Sequence, residues 1–187
     1  MKKFFAAMFA ALTICLMSAC GSAAEQNPAP AEKILVAYFS CNGHTKKAAL
    51  EVAEILHADT FEIVPEKIYT PADLDYRTEN CRANIEQKDS AARPAIAKKI
   101  DAAQYKTIVV AFPIWWGAEP RIIDTFVESF DSAGKTIVPV CTSGGSDIHA
   151  AAKNLRGLCK GANVLDGKRL GNINRDEVKA WLDSLKL

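Results

Sequence analysis

An apolar run, Ile34-Leu35-Val36-Ala37-Tyr38-Phe39, passes without a break into the polar loop Ser40-Cys41-Asn42-Gly43-His44-Thr45 and then into a helical stripe. The run reads as a buried parallel strand, which needs layers of chain on both faces. A helix that starts straight after it leaves unpaired backbone N–H groups and the positive end of its dipole at the loop. Gly43 allows close backbone approach, so the loop is suited to holding a phosphate. This one junction points to an α/β sheet with an anion site at a strand end.

The rest of the chain repeats the alternation. Strands are expected at 34–39, 60–64, 108–112, 136–140 and, briefly, 163–165; helices at 44–57, 119–130 and 146–158, with a last one starting at Asn174. Glu177 lies three residues beyond Asn174, as a capping box requires. Ala49, Val52, Ala53 and Leu56 share a helix face. So do Ile123, Phe126, Val127 and Phe130; Ile148, Ala151, Ala152, Leu155 and Leu158; and Val178, Trp181, Leu182 and Leu185. These stripes follow helical spacing and are core, with no chemistry assigned. Ile108 to Phe112 is continuously apolar and belongs at the sheet centre, whereas Thr60 to Val64 alternates and belongs at an edge. The pattern gives a parallel sheet with helices on both faces.

Residues 65–104 form a longer connection than this architecture needs. The stretch holds Tyr69, Pro71, Tyr76, Arg77 and Cys81, with a helix expected at 94–102, and reads as an excursion over the top of the sheet. Tyr76 and Arg77 are read as ordinary loop packing, and His57 and His149 as solvated or structural residues.

In a doubly wound sheet, ligands bind outside the carboxyl ends of the strands where the strand order reverses. Two further strand ends are chemically unusual here. Pro113-Ile114-Trp115-Trp116-Gly117-Ala118-Glu119-Pro120 places adjacent indoles in a loop, which suits stacking on a flat ligand. Cys141-Thr142-Ser143-Gly144-Gly145-Ser146 is small and rich in backbone donors, suited to the edge of a planar heterocycle. Rival readings of the first loop fail. Cys41 is followed six positions on by Lys47, which lacks the guanidinium fork that phosphatase chemistry uses. The third strand ends in Phe112-Pro113 rather than a receiver aspartate, and neither G-x-G-x-x-G nor G-x-x-x-x-G-K-[ST] occurs.

These three loops, in this order, resemble the flavodoxin family, specifically flavodoxin-like proteins with a Pro-x-Trp-Trp-Gly second loop. The likeness covers about residues 33–187. It implies a doubly wound five-stranded parallel sheet of order 2-1-3-4-5 that binds FMN. By that resemblance Ser40, Asn42, Gly43, His44 and Thr45 hold the FMN phosphate, and Trp115 and Trp116 flank the isoalloxazine. Thr142, Ser143, Gly144 and Gly145 line its pyrimidine side, with Cys41, Pro113, Ile114 and Gly117 completing the cofactor loops. Gly117 also tolerates a peptide rotation, so the Trp116-Gly117 backbone is expected to respond to cofactor reduction.

The N-terminus reads as an export signal over residues 1–20: Lys2-Lys3, then an apolar run from Phe4 to Met17, too short to span a bilayer comfortably. Leu16-Met17-Ser18-Ala19-Cys20 resembles a bacterial lipobox, with Cys20 lipidated; the alternative is cleavage after Ser22-Ala23-Ala24, freeing a soluble protein from Glu25. Residues 21–32, rich in Ala, Pro and Gln, read as a flexible tether to a domain at 33–187 in the cell envelope. The chain carries 23 Lys+Arg and 22 Asp+Glu; without Lys2 and Lys3 the balance is 21 against 22, or −1. That excludes the basic footprint of a nucleic-acid binder and lacks the acidic face of a carrier steered to basic proteins. Cys41, Cys81, Cys141 and Cys159 form no C-x-x-C pair and read as buried or loop thiols.

The expected function is FMN-dependent oxidoreduction, with electrons passing from NAD(P)H or a reduced partner to a quinone-like or small acceptor. The alternative is a non-catalytic electron carrier docking with envelope redox proteins. The near-neutral charge and long cap favour the enzyme.

Overall fold

The computed structural model describes residues 32–171 and 174–187. The leader, and all of the tether but Glu32, lie outside the described residues.

Five helices accompany the strands. In chain order they are β1 (Lys33–Tyr38), α1 (His44–Leu56), β2 (Asp59–Glu62), α2 (Arg82–Lys88), β3 (Tyr105–Pro113), α3 (Arg121–Val127), β4 (Thr136–Thr142), α4 (His149–Leu158), β5 (Asn163–Val164), β6 (Lys168–Arg169) and α5 (Arg175–Leu185). The sheet order is β2-β1-β3-β4-β5 and every pairing is parallel. Successive strand residues point to opposite faces. Leu35, Ala37, Ile108 and Val110 therefore pack with Ile123 and Phe126 of α3 and Leu155 of α4. Val36, Tyr38, Val109 and Ala111 pack with Ala49 and Val52 of α1 and with Val178 and Leu182 of α5. The helical stripes read from spacing are the two layers of this core.

The fifth strand is split, and the sequence explains why. Pro139 sits in the middle of β4, a position where a missing N–H ordinarily costs a ladder bond. Ile137 and Cys141 turn their carbonyls toward the fifth strand, accepting from Leu165 and Leu170. Pro139, between them, faces the same way. The chain opposite it bulges at Leu165–Gly167 and needs no donor there. Gly167 has φ +74°, and a Cβ on it would stand 2.3 Å from the Pro139 carbonyl oxygen. Only glycine fits the bulge.

Three expectations are corrected. Residues 94–102 are not helical. Pro94 is compatible with a first helical position, but the segment pairs instead as extended chain: Ile96 bridges Pro65 antiparallel, with Glu66 N–H and Ala97 N–H bonded across. The helix of the long connection is α2, at 82–88. The helix expected at 119–130 is Arg121–Val127, because Pro120 is extended at ψ 143° and serves as its N-cap. The helix expected at 146–158 starts at His149, where the Asp147 carboxylate takes the His149 N–H at 3.0 Å in a turn.

Cys81, Cys141 and Cys159 are buried thiols and Cys41 lies in an exposed loop, all unpaired. Among the described residues no helix is long and apolar enough to cross a membrane.

Candidate functional site

The carboxyl ends of β1, β3 and β4 open onto one cavity of about 800 Å³. Its volume is within the range of about 300–1,000 Å³ usual for small-molecule sites.

The first wall is the loop after β1. Phe39 continues the ladder by donating to the Ala111 carbonyl at 2.9 Å. Gly43 then turns the chain at φ +82°, its N–H bonded to Ser40 Oγ at 3.1 Å. A Cβ on Gly43 would meet nothing within 4 Å, so the dihedral alone demands glycine. No side chain caps α1, and its first turn holds no acidic residue. At the other end of the chain, Asn174 caps α5 by accepting from Asp176 N–H and Glu177 N–H at 3.0 and 3.4 Å. The start of α1 is left open to an anion where that of α5 is closed. Ser40, Cys41, Asn42, His44, Thr45 and Lys47 face the cavity.

The second wall is the tryptophan turn. Ile114 N–H donates to the Thr142 carbonyl at 3.0 Å, joining the second and third loops. Trp115 and Ala118 exchange both backbone hydrogen bonds, 2.9 and 3.0 Å, across Trp116 at φ +49° and Gly117 at φ +81°. Two successive positive φ angles make this a type I′ turn, which favours Asn-Gly and strains any bulky residue in its first central position. Holding Trp116 there costs about 1–2 kcal/mol, and the indole remains 54% exposed. The two indoles have separate surroundings. Trp115 packs edge-on against Phe39 (5.6 Å between centroids, 79°) and Tyr69 (5.4 Å, 82°). Trp116 has the cavity and solvent.

Thr142, Ser143 and Gly144 form the third wall. Thr142 Oγ1 lies 2.7 Å from Thr45 Oγ1, tying the first and third loops together. The Ser143 hydroxyl donates to the Ser146 carbonyl, which tightens the turn around Gly144 and Gly145.

Of the fifteen residues singled out from sequence, twelve line the cavity; Gly43, Gly117 and Gly145 shape the turns behind its surface. Six lining residues escaped that reading: Lys47, Leu74, Tyr76, Ala83, Leu170 and Gly171. Lys47 was within reach of it, since it lies three residues past His44 on one face of α1. Leu170 and Gly171 follow the last strand segment, and the strand-end rule covers them once β6 is known. Leu74, Tyr76 and Ala83 come from the long connection and carry no local signal. Tyr76, expected to pack within its loop, stands 66% exposed on the cavity wall.

Thiol chemistry is suppressed here. Cys41 is exposed as a residue, yet partial desolvation by the surrounding loop pushes its thiol up to about 11, against a smaller opposing pull from Arg82. Burial likewise lifts Cys141, just below the third loop, to about 12. Both stay protonated near neutral pH and are poor nucleophiles.

A family model described as flavodoxin matches residues 33–185. The chain belongs to the flavodoxin family. Among solved structures it is similar to a protein from Bacteroides uniformis described as a flavoprotein, with 46% identity over 81% of this chain and 98% of that one, at a TM-score of 0.78. A second such protein, from Bacteroides eggerthii, shares 39% identity over 83% of this chain and 98% of its own, at 0.80. A flavoprotein of Lactobacillus acidophilus, solved in complex with FMN, shares 26% identity over 81% and 99%, at 0.65. No curated protein matches the sequence.

Proposed function

We propose that this chain is an FMN-dependent oxidoreductase that takes electrons from NAD(P)H or a reduced partner and passes them to a quinone-like or other small acceptor. One observation carries the cofactor assignment: an uncapped helix start and an exposed, strained indole line the same cavity. The donor set fits FMN. The free N–H groups of α1, the Ser40 and Thr45 hydroxyls and Lys47 suit its phosphate, and Trp116 suits its ring.

FMN, when bound, supplies one- and two-electron chemistry. The chain supplies the rest. α1 anchors the anion, and Thr45–Thr142 keeps the first and third loops at a fixed separation. Gly117 accepts either sign of φ and is the turn's adaptable central residue, whereas Trp116 bars a type II′ turn, which needs glycine in its place. Tyr76 and Leu74 of the long connection border the entry and select what reaches the ring.

Tyr76 and Trp116 are exposed on the cavity wall and offer flat surfaces to a small planar molecule, which supports the enzyme over a carrier that docks whole proteins. We further propose export and attachment to the envelope through a lipid on Cys20, supported by the N-terminal sequence alone. Steady-state oxidation of NAD(P)H by the purified, FMN-loaded protein with a soluble quinone tests the enzyme. Turnover supports it. Its absence, together with rapid electron exchange with a membrane reductase, overturns it in favour of the carrier.

A further inference from the structure

The tryptophan turn is rooted in a buried pair of carboxyl groups. Glu119, two residues past Gly117, is fully buried, and Asp124 on α3 is 2% exposed. Asn154 Nδ2 of α4 donates to both Glu119 carboxyl oxygens, at 3.1 and 3.4 Å, and Gln87 Nε2 of α2 donates to the Glu119 carbonyl at 3.0 Å. Asp124 Oδ2 accepts from Arg121 at 3.2 Å and lies 3.7 Å from Arg93, which is itself paired with Glu128 at 2.6 Å. Asp124 Oδ1 is buried and meets no fixed donor among the described residues. Glu119 is fully buried, its carboxyl meets only the neutral Asn154 amide, and no cation pairs with it among the described residues, so burial favours its neutral form, with the Asp124 charge acting in the same direction. Burial raises Asp124 as well, but Arg121 and Arg93 oppose that rise, whereas no cation faces Glu119; of the two, Glu119 is the group that favours the neutral form.

We propose that Glu119 is a positioning residue for the cofactor site: its protonated carboxyl locks the root of the tryptophan turn to α3 and α4, and loss of that proton unseats Trp116 and weakens FMN binding. The proposal rests on the FMN reading of the cavity. Its geometry is direct, since only Ala118 separates Glu119 from the turn's central residues, and Ala118 itself holds the turn's closing hydrogen bonds. The charged groups facing the pair are Arg121 from α3 and Arg93 from the long connection, the latter also paired with Glu128 just past α3; α2 and α4 present the neutral Gln87 and Asn154. Burial, reinforced by the Asp124 charge, raises Glu119 to about 7. Below that pH Glu119 is neutral. Above it, two buried carboxylates repel beside the turn.

The test is equilibrium titration of the ligand-free protein with FMN and, in parallel, with riboflavin, followed by flavin fluorescence from pH 5.5 to 8.5. Riboflavin removes the contribution of the phosphate, which itself ionises near pH 6. Riboflavin affinity of the wild type should fall by about 5-fold or more between pH 6 and pH 8, a coupling of ordinary size. Glu119→Gln, which keeps both a donor for Asp124 and an acceptor for Asn154, should hold the acidic-pH affinity and show no slope. A wild-type profile without slope, or an equal slope in Glu119→Gln, overturns the proposal. Should Glu119→Gln not fold, Asp124→Asn removes the repelling charge and must shift the fall in affinity toward lower pH; an unmoved profile overturns the proposal. If no form binds either flavin, the FMN reading fails. The positioning role is then judged by acrylamide quenching of tryptophan fluorescence in a Trp181→Phe background. Quenching that rises with pH in that background, and not with Glu119→Gln added, supports it; identical profiles overturn it.

Discussion

The cavity is made of two regions built by different means. Its floor consists of the loops after β1, β3 and β4, each continuing a strand that is hydrogen-bonded through its backbone: Phe39 to Ala111, and Ile114 to Thr142. Its cap, residues 65–104, holds one short helix and a single 3-10 turn at Ala72–Leu74. Apart from the short backbone bridge of Ile96 to Pro65, side chains hold the cap in place. Arg82 lies 4.0 Å over the Tyr69 ring and pairs with Glu86, which also takes the Tyr69 hydroxyl. Asn84 donates to the carbonyls of Tyr76 and Thr78, and Tyr69 rests edge-on against Trp115 of the floor. A floor fixed by the sheet is rigid and preformed. A cap fixed by a few side chains opens locally at lower free energy, which suits an entry that must admit and release ligands.

Breaking the joint between the two regions should have the largest effect. Trp115→Ala removes the ring shared by Phe39 and Tyr69, and should cost about 3 kcal/mol of stability. Thermal unfolding should start lower by about 2–4 °C per kcal/mol, and limited proteolysis should cut within 65–104. An unchanged midpoint would show that the cap does not depend on this joint. The neighbouring indole should behave oppositely. Trp116→Ala should leave ligand-free stability within about 0.5 kcal/mol while weakening FMN by about 10- to 100-fold, as loss of one stacking platform does. Equal losses from both substitutions would erase the distinction between them.

Smaller effects sharpen the contrast. Arg82→Met keeps apolar bulk over Tyr69 but removes the Glu86 pair and the bond to the Lys67 carbonyl. It should cost about 1–2 kcal/mol, a charged hydrogen bond in a mostly buried setting. Hydrogen exchange should quicken across 65–104 and stay unchanged in β1, β3 and β4. Thr45→Val breaks the only side-chain bond between the first and third loops seen among the described residues, worth about 0.5–1.5 kcal/mol. FMN affinity should drop a few-fold with the unfolding midpoint barely moved, read by titration calorimetry and thermal scan together.

The floor was legible and the cap was not, and particular residues show why. Ser40, Gly43 and Thr45 announce a helix start beside a strand, because the turn chemistry is local. Trp115 and Trp116 announce a ligand surface, although their neighbours in sequence do not tell which indole turns inward. That choice belongs to Phe39 and Tyr69. In the cap, Pro94 suits a first helical position and the apolar spacing of Ile96 and Ile100 imitates a helix at 94–102. Those side chains instead meet the core from an extended segment. α2 has only seven residues, too short for a periodic stripe.

The order of elements, the parallel sheet and the strand-end site follow from the chain alone, because periodicity, glycine dihedrals and helix starts act over a few residues. The split of the fifth strand opposite Pro139, the joint burial of Glu119 and Asp124, and the seating of Tyr76 over the cavity were decided by tertiary structure. Each depends on groups brought together from distant parts of the chain, or on a strand-to-strand register. Interactions of that kind have no period and leave no local mark.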